Sequence, residues 1–379
     1  MSSMHKETQC VHSGTYRDNA TGGVNTPIYP SSSYEYLDRD GGIPYPRNFN
    51  TPNQEAVVTK LCALEGAEDG LLLSSGMAAI STTVLALVNA GDHVIMLDQL
   101  YGGTHAFATD EFDRLGIRYT FVATDADAVL QAVKPETRLI VVESPTNPLL
   151  GIIDIRRITE FARKRGVITI FDNTFATPIN QNPLAMGIDV VVHSATKYLG
   201  GHSDLCCGLI LTSYGLIQPI RRMARHLGGS VNAMTGYLLE RSLKTLAVRV
   251  ERQTQNAVKI AEYLAVHPAV RSVYYPGLED FAGHAIAKTQ MRGFGAMLSF
   301  ELDDSPIQPN GFLKRLDFIR PAISLGGVES IICAPSHTSH LLVSAEERQR
   351  IGISDSLLRL SVGIEHVDDI IADLQAALP

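Results

Sequence analysis

The chain has 379 residues, 45% of them apolar and 19% charged, with 32 basic and 40 acidic side chains and a formal net charge of −8. That balance describes a globular protein with a large core and gives no electrostatic basis for binding nucleic acid. No apolar run reaches the roughly 18 residues of a membrane span, and Met1-Ser-Ser-Met-His-Lys-Glu-Thr-Gln carries no apolar signal segment, so the expectation is a cytoplasmic protein with no membrane partner. The five cysteines (Cys10, Cys62, Cys206, Cys207 and Cys333) are odd in number and lack zinc or disulfide-framework spacing, which reads as reduced thiols.

Residues 1–50 are rich in Gly, Pro, Ser, Asn and Tyr and show no sustained period. Within a compact domain such a loop would be unusually long, so the segment reads as an arm reaching over a neighbouring subunit. A helix is predicted over 53–64, a strand over 69–74, and a helix over 77–88 that is apolar almost all round and therefore buried. Strands follow over 93–97, 118–122, 138–143, 167–172 and 189–193, separated in part by polar helical segments such as 155–164. Continuous apolar strands alternating with helices predict an α/β fold whose sheet is mostly parallel and covered on both faces. After about residue 250 the texture changes to a helix over 251–267, Val273-Tyr-Tyr-Pro-Gly, a strand over 296–302 and mixed elements to the end. The expected organisation is an arm (1–50), a large domain (51–250) and a smaller α+β domain (251–379), with no internal repeat.

The predicted strand over 189–193 runs into Ser194-Ala-Thr196-Lys197-Tyr-Leu-Gly-Gly-His-Ser203. Lysine is a poor continuation of an apolar run, so something must hold its amine there. An imine to an aldehyde cofactor would do so, with Ser194 and Thr196 placed to bond a phosphate. Pyridoxal phosphate requires a lysine, an acid on its pyridine nitrogen, a phosphate cradle and a stacking group. Candidates for all four fall at strand ends, where open α/β sheets place ligands. Asp172 closes the strand over 167–172; a helix cap or turn aspartate is the other reading, which the position just before the lysine unit disfavours. Ser75-Gly76-Met77 joins a strand to the buried helix, where Gly76 permits close approach and free N–H groups face a phosphate. Tyr101, in Tyr101-Gly-Gly-Thr, is either a stacking ring or a half-buried anchor. Arg359 is either a bidentate partner for a substrate carboxylate or a solvent-facing strand residue.

Three other patterns carry less. Ser194-Ala-Thr-Lys197 fits Ser-x-x-Lys of serine acylases, but the accompanying Ser-Asp-Asn and Lys-Thr-Gly elements are absent. Gly293-Phe-Gly295 lacks the third glycine of a dinucleotide loop. His337-Thr-Ser-His340 has neither a third ligand nor a His-Glu motif, so no metal is expected.

Taken together, Ser75-Gly-Met-Ala-Ala, Tyr101-Gly-Gly-Thr, Glu143-Ser-Pro-Thr-Asn147-Pro, Asp172-Asn-Thr-Phe-Ala, the lysine segment and Arg359-Leu-Ser-Val-Gly-Ile-Glu resemble the Cys/Met-metabolism enzymes dependent on pyridoxal phosphate, essentially end to end. The family includes the cystathionine lyases and gamma-synthase, methionine gamma-lyase and the homoserine sulfhydrylases. The resemblance implies an aspartate-aminotransferase-type fold, a homotetramer of two tight dimers, and an amino-acid substrate. By matching position it implies Lys197 as the imine lysine, Asp172 as the pyridine-nitrogen partner and Tyr101 as the stacking ring and acid/base aid. It further implies Gly76, Met77, Ser194 and Thr196 at the phosphate, with Tyr45 and Arg47 reaching the phosphate of the neighbouring subunit. Arg359, with Asn147 and Ser324, would bind the substrate carboxylate.

Substrate choice is less constrained. Gly103 stands where methionine gamma-lyases usually carry cysteine. Glu329 matches a glutamate that meets the distal amino group of cystathionine in the gamma-lyases and gamma-synthases; a carboxylate there would favour substrates with a cationic far end. A surface loop glutamate is the plainer reading of Glu329. The arm departs from the family in Tyr45-Pro46-Arg-Asn48-Phe49-Asn50, with Asn48 and Phe49 expected near the mouth of the site. The expectation is a γ-acting lyase with cystathionine leading. γ-Replacement on an O-acylhomoserine, methionine as substrate, and another cationic-tail amino acid such as canavanine remain open.

Overall fold

The computed structural model describes residues 4–38, 42–303, 308–338 and 344–378. Among them, seven strands form one sheet: β1 (Asp69–Leu73), β2 (His93–Leu97), β3 (Arg118–Val122), β4 (Thr137–Glu143), β5 (Ile168–Asp172), β6 (Val190–Ser194) and β7 (Gly208–Thr212). Their order is β1-β7-β6-β5-β4-β2-β3, with β7 antiparallel to both neighbours and every other pair parallel. All five residues of β2 and of β7 are buried, as strands covered on both faces must be. The expectation of a mostly parallel, doubly covered α/β sheet is therefore met.

Among the described residues, four α-helices precede β3. α1 (Lys6–His12) lies within the segment that shows no period, and it packs on its own chain through the buried Cys10. α2 (Pro52–Glu65) opens with a capping box between Thr51 and Gln54 and ends at Gly66. α3 (Gly76–Leu87) is capped by Ser75, whose side chain accepts the Ala78 N–H at 3.0 Å. α4 (Gly102–Glu111) begins after Tyr101.

A second sheet, ordered β10-β11-β12-β9-β8, is built from β8 (Val270–Tyr274), β9 (Met297–Leu302), β10 (Arg320–Pro321), β11 (Ile331–Cys333) and β12 (Leu357–Ser361). The helix Leu246–Ala265 packs on it and runs through residue 250, where the sequence texture changes. Among the described residues, no helix is long and apolar enough to cross a membrane, and no cluster of three or more His, Cys, Asp or Glu could hold a metal. His340 lies outside the described residues, so the His337–His340 pattern has no structural counterpart to report.

Candidate active site between the two sheets

Because β1 and β6 both run parallel to β4 and β5, their carboxyl ends share one edge of the large sheet. A cavity of about 460 Å³ opens there, its lining including Ser324 and Arg359 of β12. That volume suits a small molecule. Its wall brings together Gly76, Met77, Tyr101, Asn147, Asp172, Ser194, Thr196, Lys197, Ser324 and Arg359, drawn from segments up to 283 residues apart.

Lys197 follows β6 in a turn where its N–H donates to Ser194 O at 3.2 Å and its carbonyl accepts the Gly201 N–H at 2.7 Å. Its Nζ donates to Ser324 Oγ at 2.7 Å. Burial, reinforced by the Arg359 charge, lowers the amine from its ordinary value to about 8. Ser324 holds φ +82°, a left-handed conformation uncommon for a residue other than glycine and a mark of functional sites. Its carbonyl accepts Arg359 Nη2 at 3.3 Å, while Arg359 Nη1 donates to Asn147 Oδ1 at 2.6 Å. Arg359 is only 4% exposed, so the solvent-facing alternative is set aside.

Asp172 is pinned by Thr174, whose N–H and hydroxyl donate to the same oxygen at 3.0 and 2.5 Å. Burial raises its pKa, and the Thr174 donors and His193 oppose that shift. Thr174 Oγ1 also accepts the Ser194 N–H at 2.8 Å, tying the ends of β5 and β6 together. At the cradle, a Cβ on Gly76 would come within 2.8 Å of Ser194 Cβ and 3.0 Å of Ser194 Cα. Only glycine lets the α3 N-terminus sit this close to β6. Gly103 is similarly confined: a Cβ there would meet the Tyr101 ring at 2.6 Å and Met77 Sδ at 3.1 Å.

The remaining expected residues lie elsewhere. Arg47 donates to Arg225 O at 3.2 Å, its guanidinium 6.0 Å from the half-exposed Tyr45 ring, and neither lines the cavity of its own chain. Glu329 is also off the cavity wall and accepts a hydrogen bond from the Ser203 hydroxyl. Phe49, expected near the mouth, instead turns into the core with 5% exposure, capping a short 3-10 turn at φ +59°.

Sequence reasoning assigned no role to Glu143, Thr174 or Cys206, all of which line the cavity. Glu143 ends an apolar strand in an acid, the same signal that singled out Asp172. Thr174 stands two residues after Asp172, the spacing at which a hydroxyl returns to a carboxylate in a turn.

These residues fit pyridoxal phosphate: an amine, an acid, a helix N-terminus cleared of side chain and a ring converge on one cavity. A family model described as "Cys/Met metabolism PLP-dependent enzyme" matches residues 7–379. The chain is 44% identical to the cystathionine gamma-lyase of Bacillus subtilis (strain 168), covering 99% of both chains. It is 43% identical to the cystathionine beta-lyase of Lactococcus lactis subsp. cremoris (strain MG1363), covering 98% of both. The solved structure of cystathionine gamma-lyase from Lactobacillus plantarum complexed with L-serine superposes with a TM-score of 0.95 at 41% identity, covering 99% of this chain and 98% of that one. The chain is a pyridoxal-phosphate-dependent enzyme and belongs to the Cys/Met-metabolism family.

Proposed function

We propose that the protein catalyses α,γ-elimination on a γ-substituted L-amino acid, with cystathionine the leading substrate. The observation that carries this reading is the placement of the Lys197 amine, lowered to about 8, in one cavity with Asp172 and the buried Arg359. When bound, pyridoxal phosphate supplies an electron sink for the pair left as the α-proton departs. Lys197 would carry it, Asp172 would keep its ring nitrogen protonated and Tyr101 would cover its ring. Gly76, Met77, Ser194 and Thr196 would hold the phosphate.

Arg359, oriented by Asn147 and the Ser324 carbonyl, presents its guanidinium to the substrate carboxylate. Desolvation leaves a useful fraction of the Lys197 amine neutral near neutral pH, so it can take the α-proton and then move a β-proton. Ser324 Oγ restrains that amine between transfers. Tyr101, half-exposed on the cavity wall, would give a proton to the leaving thiolate. Glu329, held by Ser203, is the candidate partner for a cationic far end of the substrate. Tyr45 and Arg47 would complete the phosphate site of a neighbouring subunit. Exposed apolar residues on the same arm, Val24, Tyr36 and Leu37, favour coverage by another copy in a cytoplasmic homotetramer. In this reading 1–50 is the arm, 51–250 the cofactor domain and 251–379 the smaller domain.

The name of the Lactococcus relative favours a second reading, β-elimination on the same substrate. Incubation with cystathionine separates the two. γ-Cleavage gives cysteine, 2-oxobutanoate and ammonia; β-cleavage gives homocysteine, pyruvate and ammonia. Parallel reactions with methionine, with canavanine, and with O-succinylhomoserine plus cysteine cover the other substrates and replacement. Keto acid from none of these, or a condensed thioether only, would overturn the lyase proposal.

A further inference from the structure

Asp172 is not the only acid on the cavity wall. Glu143 ends β4 in direct register with Asp172 on β5, and it is 5% exposed. Registered residues on parallel neighbours point to the same face, with their strands about 4.8 Å apart. Two carboxylates so placed in a buried wall are not both readily charged. Glu143 Oε2 also accepts the Tyr101 N–H at 3.0 Å, and the backbone N–H of Asn147 donates to the same carboxyl group. Tyr101 starts α4 without any side-chain cap, so this bond fixes the backbone beneath the ring.

We propose that Glu143 is a positioning residue that acts as a neutral acid: it fixes the Tyr101 backbone and leaves Asp172 the single negative charge facing the pyridine nitrogen. This rests on the reading of the site given above. The charged groups around it are Asp172 on β5 and Arg359 on β12, with Lys197 beyond β6 on the same cavity. Burial and then Asp172 raise the Glu143 pKa well above the carboxylate range, outweighing the Tyr101 and Asn147 amides and Arg359. Asp172 is raised as well, with the Thr174 donors opposing the shift; a protonated ring nitrogen facing Asp172 would favour its charged form and leave the pair's shared proton to Glu143. A protonated glutamate retains a carbonyl oxygen for the Tyr101 N–H, and glutamine offers the same acceptor without a charge.

Glu143→Gln and Glu143→Ala are therefore compared by three readouts: cofactor affinity of the stripped protein, visible circular dichroism of the bound cofactor, and kcat separately from KM. Expected for Glu143→Ala is cofactor binding weakened by about five- to a hundredfold, as for an orphaned buried donor, with reduced dichroism and a fall in kcat rather than a rise in KM. Glu143→Gln is expected to restore all three to within about threefold of the parent. Glutamine as damaging as alanine would show that the negative charge is required and overturn the proposal. An unchanged Glu143→Ala would overturn it equally, and if that variant does not fold, the glutamine variant still decides. Retention of the visible band by Lys197→Ala would instead sink the underlying assignment of the site.

Discussion

The contact between Gly103 and Tyr101 allows a prediction in which two measurements move in opposite directions. In Gly103→Ala the new Cβ would lie 2.6 Å from Tyr101 Cε1, 3.2 Å from Cζ and 3.1 Å from Met77 Sδ. Carbon atoms in ordinary contact sit about 3.5–4.0 Å apart, so the ring must retreat by roughly 1 Å. Tyr101 is 45% exposed and is free to swing outward, which leaves the backbone unstrained. A ring held over the cofactor against the new methyl leaves its rotamer at about 0.5–1.5 kcal/mol, and one that swings outward forfeits its stacking at about the same cost. Either way the loss is roughly 0.5–1.5 kcal/mol, or about two- to thirteenfold in cofactor affinity. Gly103 is also the second residue of α4, where alanine stabilises a helix by up to about 1 kcal/mol over glycine. The cofactor-free variant should therefore melt at the parent temperature or above it while binding pyridoxal phosphate more weakly. Titration of stripped protein followed by absorbance, beside a thermal melt without cofactor, measures both. Unchanged affinity, or affinity and stability falling together, would refute the steric argument.

Two further outcomes follow from the cavity. Gly76→Ala drives a Cβ against Ser194 Cα and Cβ, neither of which can yield, so the cofactor-free protein should lose about 1–3 kcal/mol in urea unfolding; an unchanged midpoint would contradict the tight seat of α3 on β6. Because burial and then Arg359 lower Lys197 to about 8, its neutral fraction grows as pH rises through that value. Cofactor attachment to stripped protein should accelerate with pH and level off above about 8, and Arg359→Met should move the inflection upward. A rate independent of pH would contradict the assigned cause.

The large sheet was legible because its strands are buried on both faces: runs such as His93–Leu97 admit no polar residue after the first, and that continuity survives in the sequence. β7 was not among the predicted strands, although Gly208–Thr212 is as apolar as its neighbours, and nothing in it encodes that it runs backwards. α1 escaped notice because seven residues with one buried side chain are too short to establish a period. At the site, Lys197, Asp172 and Arg359 stood out as charges interrupting apolar runs. Glu143 interrupts one too, yet its meaning lies in its alignment with Asp172, a relation between strands that are distant in sequence. Phe49 was misplaced for a related reason: the arm's departure from the family pattern suggested contact with substrate, whereas the chain turns the ring inward at a left-handed residue. Tyr45, Arg47 and Glu329 lie off this chain's own cavity wall, a placement that their local sequence pattern does not specify.

The reversed strand β7 has an evolutionary consequence. Since β6 and β7 are antiparallel neighbours, the connection carrying Lys197 leaves the sheet and re-enters it on the same edge, with Ser194 opposite Gly208. The Lys197 amine thus rides on a closed connection with both ends fixed within one strand spacing. The cavity residues Ile323, Leu325 and Thr338 belong to chain more than 100 residues later. Replacing them leaves both ends of that connection, and the Ser324 hydroxyl that meets the Lys197 amine, in place. Such a division would let this part of the wall vary while the lysine keeps its position.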